Sequence, residues 1–407
     1  MRELHMRRTN RIVPTYTGDV SGACSALFEL GGMVVIHDPS GCNSTYNTHD
    51  ETRWYDQDSL IFITGLTERD AILGNDDKLV RDVVEAAREL GPRFIALCNS
   101  PIPFISGTDF AAICRLVERE AGVPCFYVRT NGMHDYVVGA GNAFEALARR
   151  FVDEREVRPA TLNILGATPL DLGVAGSDVP LRAFAQAAGF EVVSCWAMGS
   201  TLDDLARAAE AQVNLVVSAT GLAAARYLRE RFGTPYVVGM PVGAPVDEPL
   251  RSAWAQELAH ALQRAARTGE CAWPCRSGVA SDGGARISLV GEPVLMGSLA
   301  RALEGCADVR GQVVCPLEVP DELLGPSDMR AEGEEGVEEA LRDAPFVVAD
   351  ALYAPVIGAG SQLLGVGGPQ GAPLPHQALS GRNGWKTACD IVRLDPQAIG
   401  AQNCPAM

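Results

Sequence analysis

The chain has 407 residues, which at about 150 residues per domain predicts two to three domains with sizeable cores. Apolar residues make up 47% and charged residues 21%, which is typical of a folded globular protein and excludes a disordered or fibrous chain. The net charge of −17 opposes binding to nucleic acids and to anionic lipid surfaces.

The first third of the chain alternates short apolar runs with amphipathic stretches, which is typical of an α/β fold. We predict strands at 33–36, 60–64, 94–98 and 125–128. A helix is predicted over 76–90, because Leu79, Val83 and Ala87 fall on one face and two aspartates suit its N-terminal end.

The same alternation continues to residue 270. Strands are predicted at 161–165, 191–195, 213–218 and 236–239, and helices at 179–188, 221–232 and 248–267. Thr201 with Asp204 three residues later predicts a capping box at a further helix start.

The last part opens with RISLVGEPVLMG, which repeats the strand, glycine and proline order of LNILGATPLDLG near residue 162. A solvated acidic helix near 331–343 and a strand at 346–350 follow. We therefore predict three consecutive Rossmann-like open parallel-sheet domains, at 1–155, 156–270 and 271–407, with clefts between them for large cofactors.

The sequence lacks a GxxxxGK[ST] phosphate loop, a GxSxG elbow and an HExxH pair, so ATP hydrolysis and the common hydrolase mechanisms have no motif. It has no run of about 18 apolar residues and no signal peptide, so we expect a cytoplasmic protein without a membrane anchor. Twelve cysteines exceed what a protein in a reducing compartment needs for structure, and this indicates metal-ligand or redox roles for some.

Three cysteines of the first domain stand beside predicted turns or strand ends. Cys24 lies in SGACSALFELGG, Cys42 in IHDPSGCNST and Cys98 in FIALCNSPIPF. Nearby Gly and Pro residues would let the backbone approach a bulky iron–sulfur cluster. The alternative for any one of them, and the interpretation we keep for Cys114 and Cys125, is a small buried hydrophobic residue.

Several motifs in sequence order resemble component 1 of nitrogenase and its relatives, which include dark-operative protochlorophyllide reductase and nickel-sirohydrochlorin diamide reductase. They are the glycine-rich entry around Cys24, the H-x-P-x-G-C turn of residues 37–42, TGLTERDAILG, CNSPIPFISGTD, GTPYVVGMPVG and GEPVLMGSLA. The resemblance covers nearly the whole chain.

This resemblance implies that Cys24, Cys42 and Cys98 ligate an iron–sulfur cluster at a subunit interface. Three ligands per chain leave two alternatives, a 4Fe–4S cluster completed by a partner chain or a P-cluster-like 8Fe assembly shared by two chains. Both imply a dimer, which could be a homodimer or a heterodimer with a second component 1 type chain.

One departure concerns a second cofactor. The nitrogenase catalytic subunit holds its iron–molybdenum cofactor through a cysteine where this chain has Ser218, a poor ligand for such a cluster. His376 lies in the region that matches the other ligand. His376, with His49, Asp50 and Arg53 after the Cys42 turn, is a candidate cleft residue; the alternative is an ordinary polar loop.

The resemblance implies an oxidoreductase subunit that takes electrons from a separate ATP-hydrolysing iron–sulfur protein. It would deliver them through the cluster to a small-molecule substrate, or to a second metallocofactor or tetrapyrrole in the interdomain cleft. The alternatives are a scaffold or carrier for metallocluster assembly without turnover, and a paralogue that only structures a heterodimer. The sequence leaves the substrate open.

Overall fold

A computed structural model describes most of the chain, namely residues 10–13, 17–41, 51–55, 57–173, 176–243, 246–276, 285–305, 309–358 and 360–365. Three open β-sheets follow one another along the sequence, and every strand pair in them is parallel. The predicted α/β fold with consecutive parallel sheets is confirmed.

The first sheet has the strand order β2-β1-β3-β4. Its strands are β1 (Met33–His37), β2 (Leu60–Ile63), β3 (Ile95–Asn99) and β4 (Cys125–Val128). The helices of this part are α1 (Asp19–Leu27), α2 (Glu68–Leu73), α3 (Asp76–Leu90), α4 (Pro101–Ser106), α5 (Phe110–Ala121) and α6 (Tyr136–Phe151).

The second sheet has the order β6-β5-β7-β8. Its strands are β5 (Arg158–Leu165), β6 (Glu191–Cys195), β7 (Ala211–Val216) and β8 (Tyr236–Val238). Its helices are α7 (Pro169–Leu172), α8 (Asp178–Ala187), α9 (Leu202–Ala206), α10 (Leu222–Phe232) and α11 (Ala253–Thr268).

The third sheet has the order β11-β10-β9-β12-β13. Its strands are β9 (Ala285–Val290), β10 (Val309–Cys315), β11 (Met329–Arg330), β12 (Phe346–Ala349) and β13 (Gln362–Gly365), and its helices are α12 (Pro293–Glu304) and α13 (Gly333–Leu341). Ala272 still pairs with β8 of the second sheet, because Val238 N donates to Ala272 O at 2.9 Å. The sheets fall in the three predicted ranges, and the domain boundaries themselves stay a prediction.

Each of the three sheets reverses its strand order once. In the first two sheets the first strand lies beside the third, and in the third sheet it lies beside the fourth, so the chain winds outward in opposite directions from β1 and β3, β5 and β7, and β9 and β12. In open α/β sheets, ligands bind outside the carboxyl ends of the strands at this reversal. The fold therefore offers three such places.

Three local predictions show what sets the helix ends. Helix α3 has the predicted bounds, and Gly91 ends it in the left-handed conformation with φ 61°. The capping box at Thr201 is present, with Asp204 N donating to Thr201 Oγ1 at 3.3 Å. Helix α11 begins at Ala253, five residues later than predicted, because Ser252 caps it through the Ala255 amide.

One buried apolar cluster extends through all three sheets. Helix α6 connects the first two sheets, because it packs closely on α1 and contacts α10. The α1–α6 crossing leaves no room for a side chain, since a Cβ at Gly139 would lie 1.8 Å from the Asp19 carbonyl oxygen. Glycine is required there for the close approach of two backbones.

We expect Gly139→Ala to destabilise the protein by about 3 kcal/mol, because either helix must shift to relieve the overlap. Gly141→Ala on the same helix is the matched control, since its Cβ would meet its nearest neighbour at an ordinary 3.6 Å. Urea unfolding measures both free energies of unfolding. Equal values for the two variants would contradict the close crossing.

Among the described helices, none is both long and apolar enough to cross a membrane.

Candidate functional site

The first-sheet reversal places Cys98 near the carboxyl end of β3, where it pairs in register with Ile36 of β1. Cys24 comes from α1, which packs on the same side of the sheet, and both cysteines belong to one buried cluster. Each is 0% exposed. Burial raises the pKa of the Cys24 thiol well above its usual range, and a hydrogen bond with Cys98 adds to the shift. The structure thus brings two of the three predicted ligands together.

The third predicted ligand, Cys42, lies outside the described residues, as do His49, Asp50 and His376. The chain leading to Cys42 is fixed at its start. Ser100 Oγ donates to the His37 carbonyl oxygen at 2.8 Å, and Leu66 N donates to the Asp38 carbonyl oxygen at 2.8 Å. The segment that carries Cys42 therefore leaves the sheet beside the end of β3.

Unpaired oxygens mark the same sheet end. Asp38 follows β1 and is 1% exposed, yet within the described residues neither of its carboxylate oxygens has a hydrogen-bond partner, and the same holds for Asn99 Oδ1. A buried carboxylate without a partner is costly. Sequence reasoning missed Asp38, although its place within the H-x-P-x-G-C turn was a signal that could have found it.

The residues present here fit an iron–sulfur cluster, because cysteine sulfurs are the usual ligands of such clusters. Cys24 of α1 and Cys98 of β3 lie together, and residues 38–41 before Cys42 begin beside them. Ligation would require both thiols to lose their protons and the two sulfurs to separate. Within the described ranges, no group of three potential ligands is already arranged around a metal position.

Arg53 is placed inside the protein and does not reach solvent. Its side chain is 0% exposed, and its Nε and Nη2 donate to the two oxygens of Glu51 at 2.8 and 2.9 Å. Its Nη1 donates to Glu29 at 3.1 Å and to the Ala197 carbonyl oxygen of the second domain at 2.8 Å. The hydrogen bond to Ala197 therefore joins this part of the chain to the loop after β6 of the second sheet.

A buried polar network centred on Asp171 lies at the second-sheet reversal. We call it the carboxyl junction, and its other members are Ser218, Tyr136, Thr168 and Glu292. Ser218 Oγ donates to Asp171 Oδ2 at 2.5 Å and Tyr136 Oη donates to Oδ1 at 2.5 Å. Thr168 Oγ1 donates to Oδ2 at 3.0 Å. The hydroxyl group of Ser218 is thus hydrogen-bonded to a buried carboxyl group.

Glu292 brings the third sheet into this junction. It caps α12 and also accepts from the Ala219 amide of the second domain at 2.9 Å. Burial raises the pKa of Glu292 to about 8, with the nearby Asp171 adding to the shift, and burial raises the pKa of Asp171 to about 6. Sequence reasoning missed both Asp171 and Glu292. A signal for Glu292 was available, because it precedes the proline of its repeat just as Thr168 precedes the proline of the other repeat.

A polar cavity of about 590 Å³ separates the first and third domains. His134 Nδ1 lies 2.7 Å from Glu318 Oε2 across it, and Arg330 also lines it. Burial raises the pKa of Asp135 on the first-domain wall. These groups could position a polar substrate and exchange protons with it.

Comparison with known proteins identifies the family of this chain. The protein-family model described as nitrogenase component 1 type oxidoreductase matches residues 19–306, more than half of the chain.

Curated relatives match over shorter stretches. The chain is 26% identical over 245 residues to the nitrogenase iron-molybdenum cofactor biosynthesis protein NifE of Clostridium pasteurianum, covering 54% of this chain and 51% of that protein. It is 28% identical over 245 residues to one subunit of the light-independent protochlorophyllide reductase of Prosthecochloris aestuarii, covering 57% and 43%. The chain spans about half the length of the curated relatives it matches.

Among solved structures, one described as "Nitrogenase Cp1 at pH 6.5" superposes with a TM-score of 0.69. The superposition covers 99% of this chain and 97% of that one at 15% identity, which shows a shared fold.

Proposed function

Because the chain belongs to the nitrogenase component 1 type oxidoreductase family, we propose that it is a subunit of a nitrogenase-like, ATP-dependent reductase. A separate ATP-hydrolysing iron–sulfur protein would supply its electrons. The observation that carries the proposal is the convergence of Cys24 and Cys98 at the first-sheet reversal, beside the segment of Cys42. When bound there, an iron–sulfur cluster would accept and release single electrons.

The chain's own residues would have three tasks in this reductase. Cys24, Cys42 and Cys98 would hold the cluster, with a second component 1 type chain, identical or different, completing the interface. Arg53, held by Glu51 and Glu29, would keep the first domain fixed on the second through its hydrogen bond to Ala197. His134 and Asp135 would supply protons to a small molecule in the polar cavity, because reduction of an unsaturated bond needs protons as well as electrons.

Docking of the electron donor would use an exposed apolar patch on α2 and α4 of the first domain. It consists of Ile72, Leu73, Ile102, Phe104 and Ile105, which are 41–79% exposed. Exposed apolar patches of this kind mark protein interaction sites. Helices α2 and α4 contact each other, so their exposed side chains form one surface.

We expect Ile105→Asp to lower the rate of ATP-dependent electron transfer from the donor protein at least about tenfold, because a charge in an apolar interface opposes docking. Val179→Asp, at a 56% exposed position of the second domain, is the matched control and should leave the rate unchanged. Stopped-flow absorbance of the anaerobic proteins measures this rate. Reduction that is equally fast without ATP would overturn the proposed function.

The second candidate function is a scaffold for metallocluster assembly, which two observations favour. Ser218 is held by Asp171 where the family's catalytic subunit has a cofactor ligand, and NifE of Clostridium pasteurianum is named as a cofactor biosynthesis protein. A scaffold would transfer its cluster to a recipient protein and show no sustained turnover with the ATP-hydrolysing donor. Iron transfer to an apo-recipient, followed by gel filtration and metal counting, separates the two functions.

A further inference from the structure

A cavity of about 550 Å³ lies on the other face of the first sheet from the cysteines. Met33, Val35 and His37 of β1 line it, whereas the alternating Val34 and Ile36 face the cysteine cluster. Helices α2, α3 and α4 close its sides. Its volume is in the range of pockets that hold drug-sized molecules. Two of its lining residues, Ile72 and Leu73, also belong to the docking patch proposed above, and no lining residue is a proposed cluster ligand.

His37 provides a polar group at the sheet side of this cavity. Its Nδ1 lies 2.8 Å from Thr64 Oγ1, and its ring meets Phe110 edge to face at 6.0 Å. Burial lowers the pKa of His37, so its imidazole is neutral at physiological pH. No residue in the described part of the chain hydrogen-bonds to Nε2, the second nitrogen of this ring.

The remaining walls combine apolar side chains with acidic groups. Phe62, Leu79 and Val83 provide apolar surface. Four aspartates, at positions 70, 76, 82 and 109, face one lysine, Lys78, whose Nζ pairs with Asp82 at 3.2 Å. Hydrogen bonds from Asn75 and Thr67 lower the pKa of Asp70 to about 2, so this carboxylate is ionised. The cavity is therefore anionic as well as apolar, and it disfavours phosphates and carboxylates.

We propose that this cavity is a binding site for a small amphipathic organic cation. The apolar body would lie against Phe62 and Val83, a polar N–H would donate to His37 Nε2, and the positive charge would face Asp76. These contacts would use the apolar wall, the second nitrogen of His37 and the negative charge of the lining aspartates. This site does not depend on the iron–sulfur cluster or on a partner chain.

The test uses 4′,6-diamidino-2-phenylindole, a fluorescent amphipathic cation with N–H donors, and the full-length protein without partners. We expect one equivalent of dye to bind, and we expect Ala71→Trp, which fills the cavity from α2, to weaken binding at least about tenfold. Ala86→Phe fills it from α3 and should do the same if Ala71→Trp disturbs its short helix. Ala111→Trp, at an exposed position outside the cavity, should bind like the unchanged protein.

Two further variants test the assigned contacts. His37→Phe keeps a ring but loses Nε2, and Asp76→Asn removes one charge; each should weaken binding by about threefold to tenfold. The anionic dye 1-anilinonaphthalene-8-sulfonate should bind more weakly than the cation. The proposal is overturned if the cationic dye binds both cavity-filling variants as tightly as the unchanged protein, or if the anionic dye binds more tightly.

Discussion

Cys98→Ala is expected to leave the anaerobically purified protein with less than about a tenth of the iron of the unchanged protein, and with no donor-dependent turnover. The reason is chemical, since only a thiolate binds iron in this core and the alanine methyl group cannot replace it. Removing one buried sulfur costs only about 1 kcal/mol of stability, so the fold should persist. Iron counting together with a thermal melt measures both effects.

Cys114→Ala is the matched control, because Cys114 is also a buried thiol of the first domain, at 6% exposure on α5. It should keep its iron. Cys24→Ala and Cys42→Ala should both behave like Cys98→Ala. A normal cluster in any one of these three variants would contradict that residue's assignment as a ligand.

The second large effect is a fall in stability with rising pH, caused by the carboxyl junction. The pKa of Glu292 rises from its ordinary value of 4.5 to about 8 on folding, and that of Asp171 from 3.8 to about 6. A carboxyl with a raised pKa holds its proton more tightly in the folded protein than in the unfolded chain. Its contribution is therefore fully present below its ordinary pKa, and is lost as the pH rises towards the folded value.

We expect the junction to lower the free energy of unfolding by about 3 kcal/mol or more between about pH 5 and about pH 8.5. Glu292→Gln cannot ionise, so it should remove most of this loss, and Asp171→Asn should remove the part below about pH 6. Glu257→Gln, a surface variant on α11, is the control and should keep the full pH dependence. Denaturant unfolding at several pH values measures it, and parallel curves for all variants would contradict a proton held at the junction.

Local sequence predicted those elements whose signals are strong. Helix α3 has one apolar face, acidic residues at its start and a glycine stop, and its bounds match the prediction. Strand β10 was missed, because polar Arg310 and Gln312 alternate with valines and Gly311 interrupts the run. Strand β11 is two exposed residues that exist only through pairing with β10. Such pairing depends on the tertiary fold, so the sequence of a two-residue strand does not predict it.

The candidate site also has a part that the sequence predicted and a part that it did not. The resemblance singled out Cys24 and Cys98, which lie far apart in sequence and meet only because α1 packs on the face of β3 that carries Cys98. The carboxyl junction could not be predicted, because Tyr136, Asp171 and Glu292 come from three different parts of the chain. Each looks like an ordinary residue at a helix start. Their shared burial arises only where the three sheets meet.

The central claim is that the first-sheet reversal holds an iron–sulfur cluster, and the iron content of the anaerobically purified protein tests it most directly. We predict about four irons per dimer, or eight for a larger shared assembly, with an electron paramagnetic resonance signal after dithionite reduction. A protein that contains no iron, and takes up none during reconstitution with iron and sulfide, would contradict the account.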